Sequence, residues 1–260
     1  VISFVGAGPG AADLLTLRAV DRLAAADVVV WASSLVSPAV LDHCRPDAEL
    51  HDSRTMTLED VTAVYAAHAN EAIVRLHSGD PSVYGAIGEQ IDWCAAHERD
   101  FEIVPGVSSL AAAAAAARRE LTVPGLAQSV VLTRLAHRTA ASVPAGESVA
   151  GFAALGPTMA LFLSAARPDE LQAELQAAGS AYAPSTPAVI AHRVSWPDER
   201  VVPSTVGRLA DDLRALGATT TVLVLVGDAL AGAAPCRSHV YAPDYAHSFR
   251  PARPEASGGG

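Results

Sequence analysis

The sequence predicts an α/β protein made of two α/β domains, and three observations carry that expectation. Short runs of β-branched residues alternate with amphipathic helical stretches through the first half of the chain, the rhythm of βαβ units and a mainly parallel sheet. A charged segment with Pro and Gly, "RRELTVPGLAQ", then interrupts that rhythm. Beyond it strands and helices resume, but "PAVIAHRVSWPDERVV" reads as two strands joined by a Pro-Asp turn, so the second sheet is expected to be mixed.

Taken in order, strands are expected at 2–6, 27–31, 73–77 and 101–104, and helices at 12–25, 57–70, 84–97 and 108–119. The helix at 57–70 has a clear start, with Thr57 as cap and Asp60 three residues on. In the second half, strands are expected at 129–133, 159–163, 187–192 and 221–226, with helices at 148–154, 168–178 and 204–216. The expected division is a first domain over 1–118, a linker over 119–128, a second domain over 129–245 and a mobile tail over 246–260, ending in "PEASGGG". The alanine run at 111–117 fits either compositional bias or a helix lying close against a sheet.

Composition narrows the function classes. A net charge of −10 argues against a nucleic-acid partner, which demands a basic surface. An anionic small molecule would then need a local basic pocket. No apolar run approaches the roughly 20 residues of a membrane span, and no signal-peptide pattern is visible, so no membrane partner is expected. Cys44, Cys94 and Cys236 are isolated, which suggests neither disulfides nor zinc and makes a reducing cytoplasm the expected location. The nine histidines lack the H-x-x-x-H spacing of helical metal sites, so no metal is expected.

Three glycine-bearing loops follow strands: "VGAGPGAADLLTLRA", "RLHSGDPSVYG" and "VPGVSSLAAA". Each has a purely structural explanation. Asp80-Pro81 is a good helix start, Gly79 and Gly106 suit turns, and Ser108 can cap a helix. Together they converge on the C-terminal edge of one sheet, where open α/β sheets bind ligands. Gly6, Gly8 and Ala11 also satisfy the dinucleotide pattern G-x-G-x-x-G/A. That pattern needs an acid about 20 residues on, at the end of the second strand, to hold a ribose. Here "DVVVWASS" has its only acid, Asp27, before the strand, and Pro9 removes a backbone donor from the loop. A nicotinamide or flavin enzyme is therefore disfavoured. "GVSSL" lacks the second glycine of a nucleophile elbow. His77 reads as a hydrogen-bonded structural residue, and Asp198 and Glu199 as a solvated bend.

In order and spacing, these loops, with "TMALFLS", "PAVIAHRVSWPDERVV" and "TTVLVLVG", resemble the signature segments of the tetrapyrrole methylases that use S-adenosylmethionine. The resemblance spans nearly the whole chain. It implies two α/β domains with the methyl donor in a cleft between them, and a homodimer. It also implies donor contacts from Pro9, the Ser78-Gly79-Asp80 turn, Val83 and the Ser108-Ser109 pair, and from Leu163, the stretch from Ala191 to Val194, and Thr220 or Thr221. Uroporphyrinogen methylases usually show Gly-Gly-Asp in place of Ser78-Gly79-Asp80, and Asn-Gly-Thr in place of Arg193-Val194-Ser195, so a later corrin methylase is implied. The anionic tetrapyrrole such an enzyme takes needs cationic partners, and Arg134, His137 and Arg138 in "VVLTRLAHR" are the candidates. Arg118 and Arg119 fit better as charges at a helix C-terminus. Methyl transfer requires no nucleophilic Ser or Cys, and no single catalytic residue is expected. A non-catalytic sensor or carrier of a nucleotide or tetrapyrrole is the alternative from another class.

Overall fold

The computed structural model describes residues 1–136, 143, 144, 146–232, 236, 238, 240 and 242–252. Two units are defined by contacts within them. Unit 1 comprises Val1–Arg118, Ile190–Val202 and Ala218–Leu223; unit 2 comprises Arg119–Val189, Pro203–Gly217 and Val224–Gly260.

Five strands lie in the first stretch of unit 1: β1 (Ile2–Gly6), β2 (Val28–Trp31), β3 (Glu49–Asp52), β4 (Ile73–His77) and β5 (Phe101–Val104). All their pairings are parallel, in the order β3-β2-β4-β1-β5. Four helices follow strands in this half: α1 (Leu17–Ala25), α2 (Leu58–Ala67), α3 (Gly88–Ala96) and α4 (Ser109–Ala117). Alternate residues of the strands serve opposite faces, as strand geometry requires. Val5, Val29, Val74, Leu76 and Val104 pack with Ala19 and Leu23 of α1. Ile2, Phe4, Val28, Val30 and Ile73 pack with Val61 and Tyr65 of α2 and Cys94 of α3. The helix after β1 and the helix after β4 thus cover opposite faces, although β1 and β4 are neighbours. That divergence makes the β1/β4 boundary a switch point, where a crevice opens at the carboxyl ends of the strands.

Local chemistry explains the helix starts. Thr16 caps α1 by accepting from Ala19 N. Thr57 and Asp60 form a reciprocal capping box at α2. Ser108 caps α4 by accepting from Leu110 N, and Arg118 ends that helix in the left-handed conformation. The sequence did not anticipate β3 or the 3-10 turn at Pro38–His43, both of which fall where no apolar periodicity marks an element. The helix expected at 12–25 is divided into a 3-10 turn at Ala12–Leu14 and α1. Similarly, the helix expected at 84–97 begins only at Gly88, because Tyr84 and Ala86 adopt positive φ in the turn before it.

The second sheet has the order β6-β7-β10-β8-β9, with β6 (Val130–Arg134), β7 (Thr158–Phe162), β8 (Pro187–His192), β9 (Arg200–Thr205) and β10 (Val222–Val226). β6 and β7 are parallel while β7 and β10 are antiparallel, so the sheet is mixed, as expected. In unit 2 the helices are α5 (Val149–Ala153), α6 (Pro168–Leu175) and α7 (Leu209–Leu216). The helix expected from 204 begins at Leu209, because 200–205 continue as β9 and a 3-10 turn intervenes. Leu171, Leu175, Leu209 and Leu213 are buried, and Gln172 Oε1 accepts from Ala210 N at 2.8 Å, tying α6 to α7. In the 119–128 stretch, Val123 and Ala127 are buried and pack with Ala229. Arg119 donates from Nε to Leu230 O at 2.7 Å. Residues 253–260 of the expected tail lie outside the described residues, while Arg250 donates to the carbonyls of Val240 and Ala242 at 2.8 Å.

One buried polar chain connects α2 to the turn after β4. The Tyr65 hydroxyl donates to Gln90 Oε1 at 2.7 Å, and Gln90 Nε2 donates to Ala86 O at 3.0 Å. Tyr65 is fully buried. Replacing Tyr65 by Phe leaves the Gln90 oxygen without its donor, a loss of about 1–3 kcal/mol. Urea denaturation of Tyr65→Phe is expected to show that loss as a lowered midpoint at unchanged m-value.

Candidate functional site

In unit 1 the three glycine loops leave the carboxyl ends of β4, β1 and β5, which are consecutive in the sheet. They are in backbone contact. Gly8 and Gly79 form an isolated antiparallel bridge, with Gly79 N donating to Gly8 O at 2.8 Å and Gly8 N to Gly79 O at 3.2 Å. A Cβ on Gly6 would lie 2.5 Å from Gly106 Cα, and one on Gly106 would lie 2.2 Å from Gly79 O. Only glycine permits such an approach, because the atoms in the way are backbone. Gly8 and Gly79 also have φ of +70° and +66°.

Asp80 fastens the second loop to the third. Its Oδ2 accepts from Gly106 N at 2.8 Å, and its Oδ1 accepts from the backbone N and the hydroxyl of Ser82. Partial burial works against its charge, yet the donors from Ser82 and Gly106 prevail and hold the carboxyl below the usual carboxylate range. Asp80 is therefore a brace between loops as well as a candidate contact.

A fourth segment closes on the first loop, also within unit 1. Trp196 Nε1 donates to Pro9 O at 2.9 Å, and Ser195 Oγ accepts from Ala11 N at 2.9 Å. The indole occupies the place where a Gly10 side chain would be: a Cβ there would sit 2.1 Å from Trp196 Cδ1. Asp198 and Glu199, expected to form a solvated bend, hold this segment. Glu199 Oε2 accepts from Ser195 N at 2.6 Å, while Asp198 pairs with Arg193, whose guanidinium lies 4.2 Å over the Trp196 ring. Arg193 N donates to Thr221 O at 2.9 Å, which brings the start of β10 alongside.

Of the expected donor contacts, Pro9, Ser78, Gly79, Asp80, Ser108 and Ser109 therefore share one strand-end rim. Val83 lies in the turn between Asp80 and α3. Ala191 and Val194 are buried in β8 and just beyond it; Thr220 is exposed, and Thr221 precedes β10. Leu163 belongs to unit 2, directly after β7, and is 73% exposed. Arg134 ends β6 in register with Phe162, and Leu135 N donates to Ser164 Oγ at 2.8 Å, so Arg134 and Leu163 lie on adjacent strand ends within unit 2. His137 and Arg138 lie outside the described residues.

Backbone strain collects at the same places. Tyr84, Ala86, Leu163, Arg193, Ser195 and Thr221 have positive φ, whereas the remaining non-glycine cases, Glu98 and Arg118, follow or end helices. Such conformations cost about 1–3 kcal/mol each and cluster at ligand-binding sites. Sequence reasoning missed Ser195 and Trp196, because their fastening of the first loop spans more than 180 residues, and it read Glu199, which holds Ser195, only as part of a solvated bend.

His77 ends β4 and is buried. Burial, with the nearby Arg75 charge, pushes its imidazole down to about 3, against a smaller opposing contribution from a hydrogen bond with the Gly85 backbone. The ring is neutral at physiological pH and holds the turn after the second loop.

The dinucleotide reading fails on topology too. β4 stands between β1 and β2, so the end of β2 is not adjacent to the first loop. The acid beside the end of β2, Asp52, accepts from the backbone N of Ser33 at 3.1 Å and from its hydroxyl at 2.6 Å. The loop segments 6–16, 78–87 and 105–109 contain no basic residue. A rim of backbone amides and carbonyls with carboxylates and no cation suits a positively charged ligand better than a pyrophosphate.

These features define a ligand-binding α/β protein with its site at a switch point of a parallel sheet. The chain belongs to the Tetrapyrrole (Corrin/Porphyrin) Methylases, whose family model matches residues 1–210. It is 40% identical over 251 residues to a precorrin-4 C(11)-methyltransferase of a Sinorhizobium species, covering 96% of this chain and 98% of the relative. Among solved structures, a cobalt precorrin-4 methyltransferase superposes with a TM-score of 0.83 at 40% identity, covering 88% of this chain and 95% of that one. The uroporphyrin-III C-methyltransferase of Thermus thermophilus, solved with S-adenosylhomocysteine, matches with a TM-score of 0.74 at 28% identity, covering 89% and 99%.

Two outcomes are expected. Gly106→Ala forces backbone apart on two sides and should destabilise the protein by about 1–3 kcal/mol or more, read by chemical denaturation. NMR of the His77 ring should show no titration between pH 8 and 5. The unfolded chain protonates near pH 6.5 and the folded ring only near 3, so stability is whole above about pH 6.5 and falls as the pH drops between those values.

Proposed function

We propose that this protein transfers a methyl group from S-adenosylmethionine to C11 of precorrin-4, giving precorrin-5 in corrin-ring synthesis. The observation that carries this reading is the full-length similarity to a precorrin-4 C(11)-methyltransferase, 40% identical over 96% of the chain. The fastened loops at β4, β1 and β5 are in keeping with it. A second reading, the cobalt-containing form of the same substrate, is favoured by the equal identity to the cobalt precorrin-4 methyltransferase.

The donor supplies an activated methyl group on a sulfonium sulfur. The residues of this chain have to bind, align and shield; well-oriented reactants gain much of their rate from proximity, and exclusion of water protects the transfer. The loop rim offers uncharged backbone groups and the Asp80 carboxylate, which a cationic, amine-bearing donor suits. Pro9 O is already engaged by Trp196, so Pro9 contributes its ring. Ser78 and the caps of α4, Ser108 and Ser109, are the polar side chains on the same rim. Leu163, Val194 and Thr221 supply apolar and backbone contacts from strained or adjoining positions.

The acceptor is rich in carboxylates. This chain contains no lysine, so its 18 Lys-or-Arg positions are all arginine, the residue suited to bidentate carboxylate recognition. Arg134 at the end of β6 is the described candidate, with His137 and Arg138 next in sequence. We assign the protein to the cytoplasm and to a homodimer on the same family reading. Among the described residues, no helix is long and apolar enough to cross a membrane.

Incubation with methyl-labelled donor and precorrin-4, followed by mass spectrometry, should give one added methyl located at C11. Methylation at another carbon, or none with either the metal-free or the cobalt-containing macrocycle, overturns the reading. The better of the two macrocycles identifies the substrate. Arg134→Ala is expected to weaken tetrapyrrole binding by about tenfold or more, as loss of a charge-assisted pair implies, while calorimetry shows unchanged donor affinity.

A further inference from the structure

Apart from the glycine loops, unit 1 carries a cluster of metal-ligating groups that methyl transfer does not use. Glu49 and His51 are two residues apart on β3, the edge strand of the first sheet, and so project from the same side of it. His68 is the C-cap of α2. One ligand atom from each of the three lies within 4.8 Å of the others. His51 Nε2 is 2.8 Å from Glu49 Oε1, and His68 Nε2 is 3.7 Å from Glu49 Oε2. Two ligands at about 2.0–2.1 Å from a tetrahedral zinc ion stand roughly 3.3 Å apart, so these spacings bracket the required one.

The surroundings are those of a metal site. His68 Nδ1 lies 2.6 Å from Glu71 Oε2, a carboxylate partner that fixes the ring and leaves Nε2 as the ligand nitrogen. His51 Nε2 is buried and makes no aligned hydrogen bond, although the Glu49 oxygen is close. A buried ring nitrogen close to a carboxylate but without an aligned hydrogen bond is an arrangement that a cation completes.

Hydrogen bonds within the protein hold the scaffold of the cluster. Asp27 holds both contributing segments: its backbone O accepts from Glu49 N at 2.8 Å, and its Oδ2 accepts from Ala72 N at 2.8 Å. Arg99 donates to the carbonyls of His68 and Glu71 at 2.8 and 2.9 Å, which fixes the turn that carries His68. Two carboxylates and two imidazoles give the cluster a charge of −2 when the imidazoles are neutral, which a divalent ion balances.

We infer that Glu49, His51 and His68 bind one divalent transition-metal ion, with zinc the best match to a two-imidazole, one-carboxylate set, and that the ion clamps the edge strand to the end of α2. Glu71 is a positioning residue. The sequence offered no H-x-x-x-H signal because the two histidines lie on different elements, 17 residues apart.

The test uses the full chain, stripped with chelator and titrated with zinc against a chromophoric competitor. The expected result is one equivalent bound and a higher melting temperature on binding. Glu71→Gln should weaken zinc affinity by about 10–100-fold, and His51→Ala with His68→Ala should abolish stoichiometric binding. Zinc X-ray absorption on the unmodified protein should show two imidazole ligands with oxygen completing the shell, and this readout does not depend on any variant folding. Absence of stoichiometric binding, undiminished affinity in the double variant, or a ligand set without two imidazoles would overturn the assignment.

Discussion

The architecture of the rim depends on the absence of two side chains, at Gly6 and Gly106. Parallel neighbours in a sheet lie about 4.8 Å apart, and the loops leaving β4, β1 and β5 turn toward one another over that spacing. Gly6 and Gly106 let their backbones touch, where even a methyl group would collide with main-chain atoms on the opposing loops, and Gly79 supplies the positive φ that the second loop needs. Once the loops are that close, their polar groups satisfy each other through the Gly8–Gly79 bridge and the Asp80–Gly106 hydrogen bond. The site is thus organised by backbone contact, and its side chains are added to a frame that already exists.

That frame suits a reaction in which the protein contributes no electrons. A methyl group on a sulfonium is already activated, and what limits transfer is alignment and access of water. No basic side chain lies in the three loop segments, so a positively charged ligand would meet no repulsion there. Strain at Tyr84, Ala86, Arg193, Ser195 and Thr221 is held by interactions nearby: Gln90 on Ala86 O, Glu199 on Ser195 N, and Arg193 N on Thr221 O. These residues spend local stability to fix loop shape.

The switch point separates this protein from the dinucleotide folds that its first loop imitates. In those folds the second strand lies beside the first and brings its ribose-binding acid to the glycine loop. Here β4 occupies that place, and the nearest acid at the far edge, Asp52, is consumed by Ser33. The same short motif therefore sits in a different setting, because the strand order around it differs.

Much of this was legible in the chain itself. Period-two and helical patterns located most strands and helices, since these reflect burial that each segment imposes locally. Thr57 with Asp60, Ser108 and the glycine loops were readable for the same reason: capping and turn chemistry act over three or four residues. What the sequence could not contain was strand order, the β1/β4 switch point, and the long-range fastenings. Trp196 on Pro9, Ser195 on Ala11, and the meeting of Glu49 and His51 with His68 all join residues far apart or on different elements. Local pattern fixes what each segment becomes; which segments become neighbours is decided by how the whole chain buries its apolar faces, and only the tertiary structure records that.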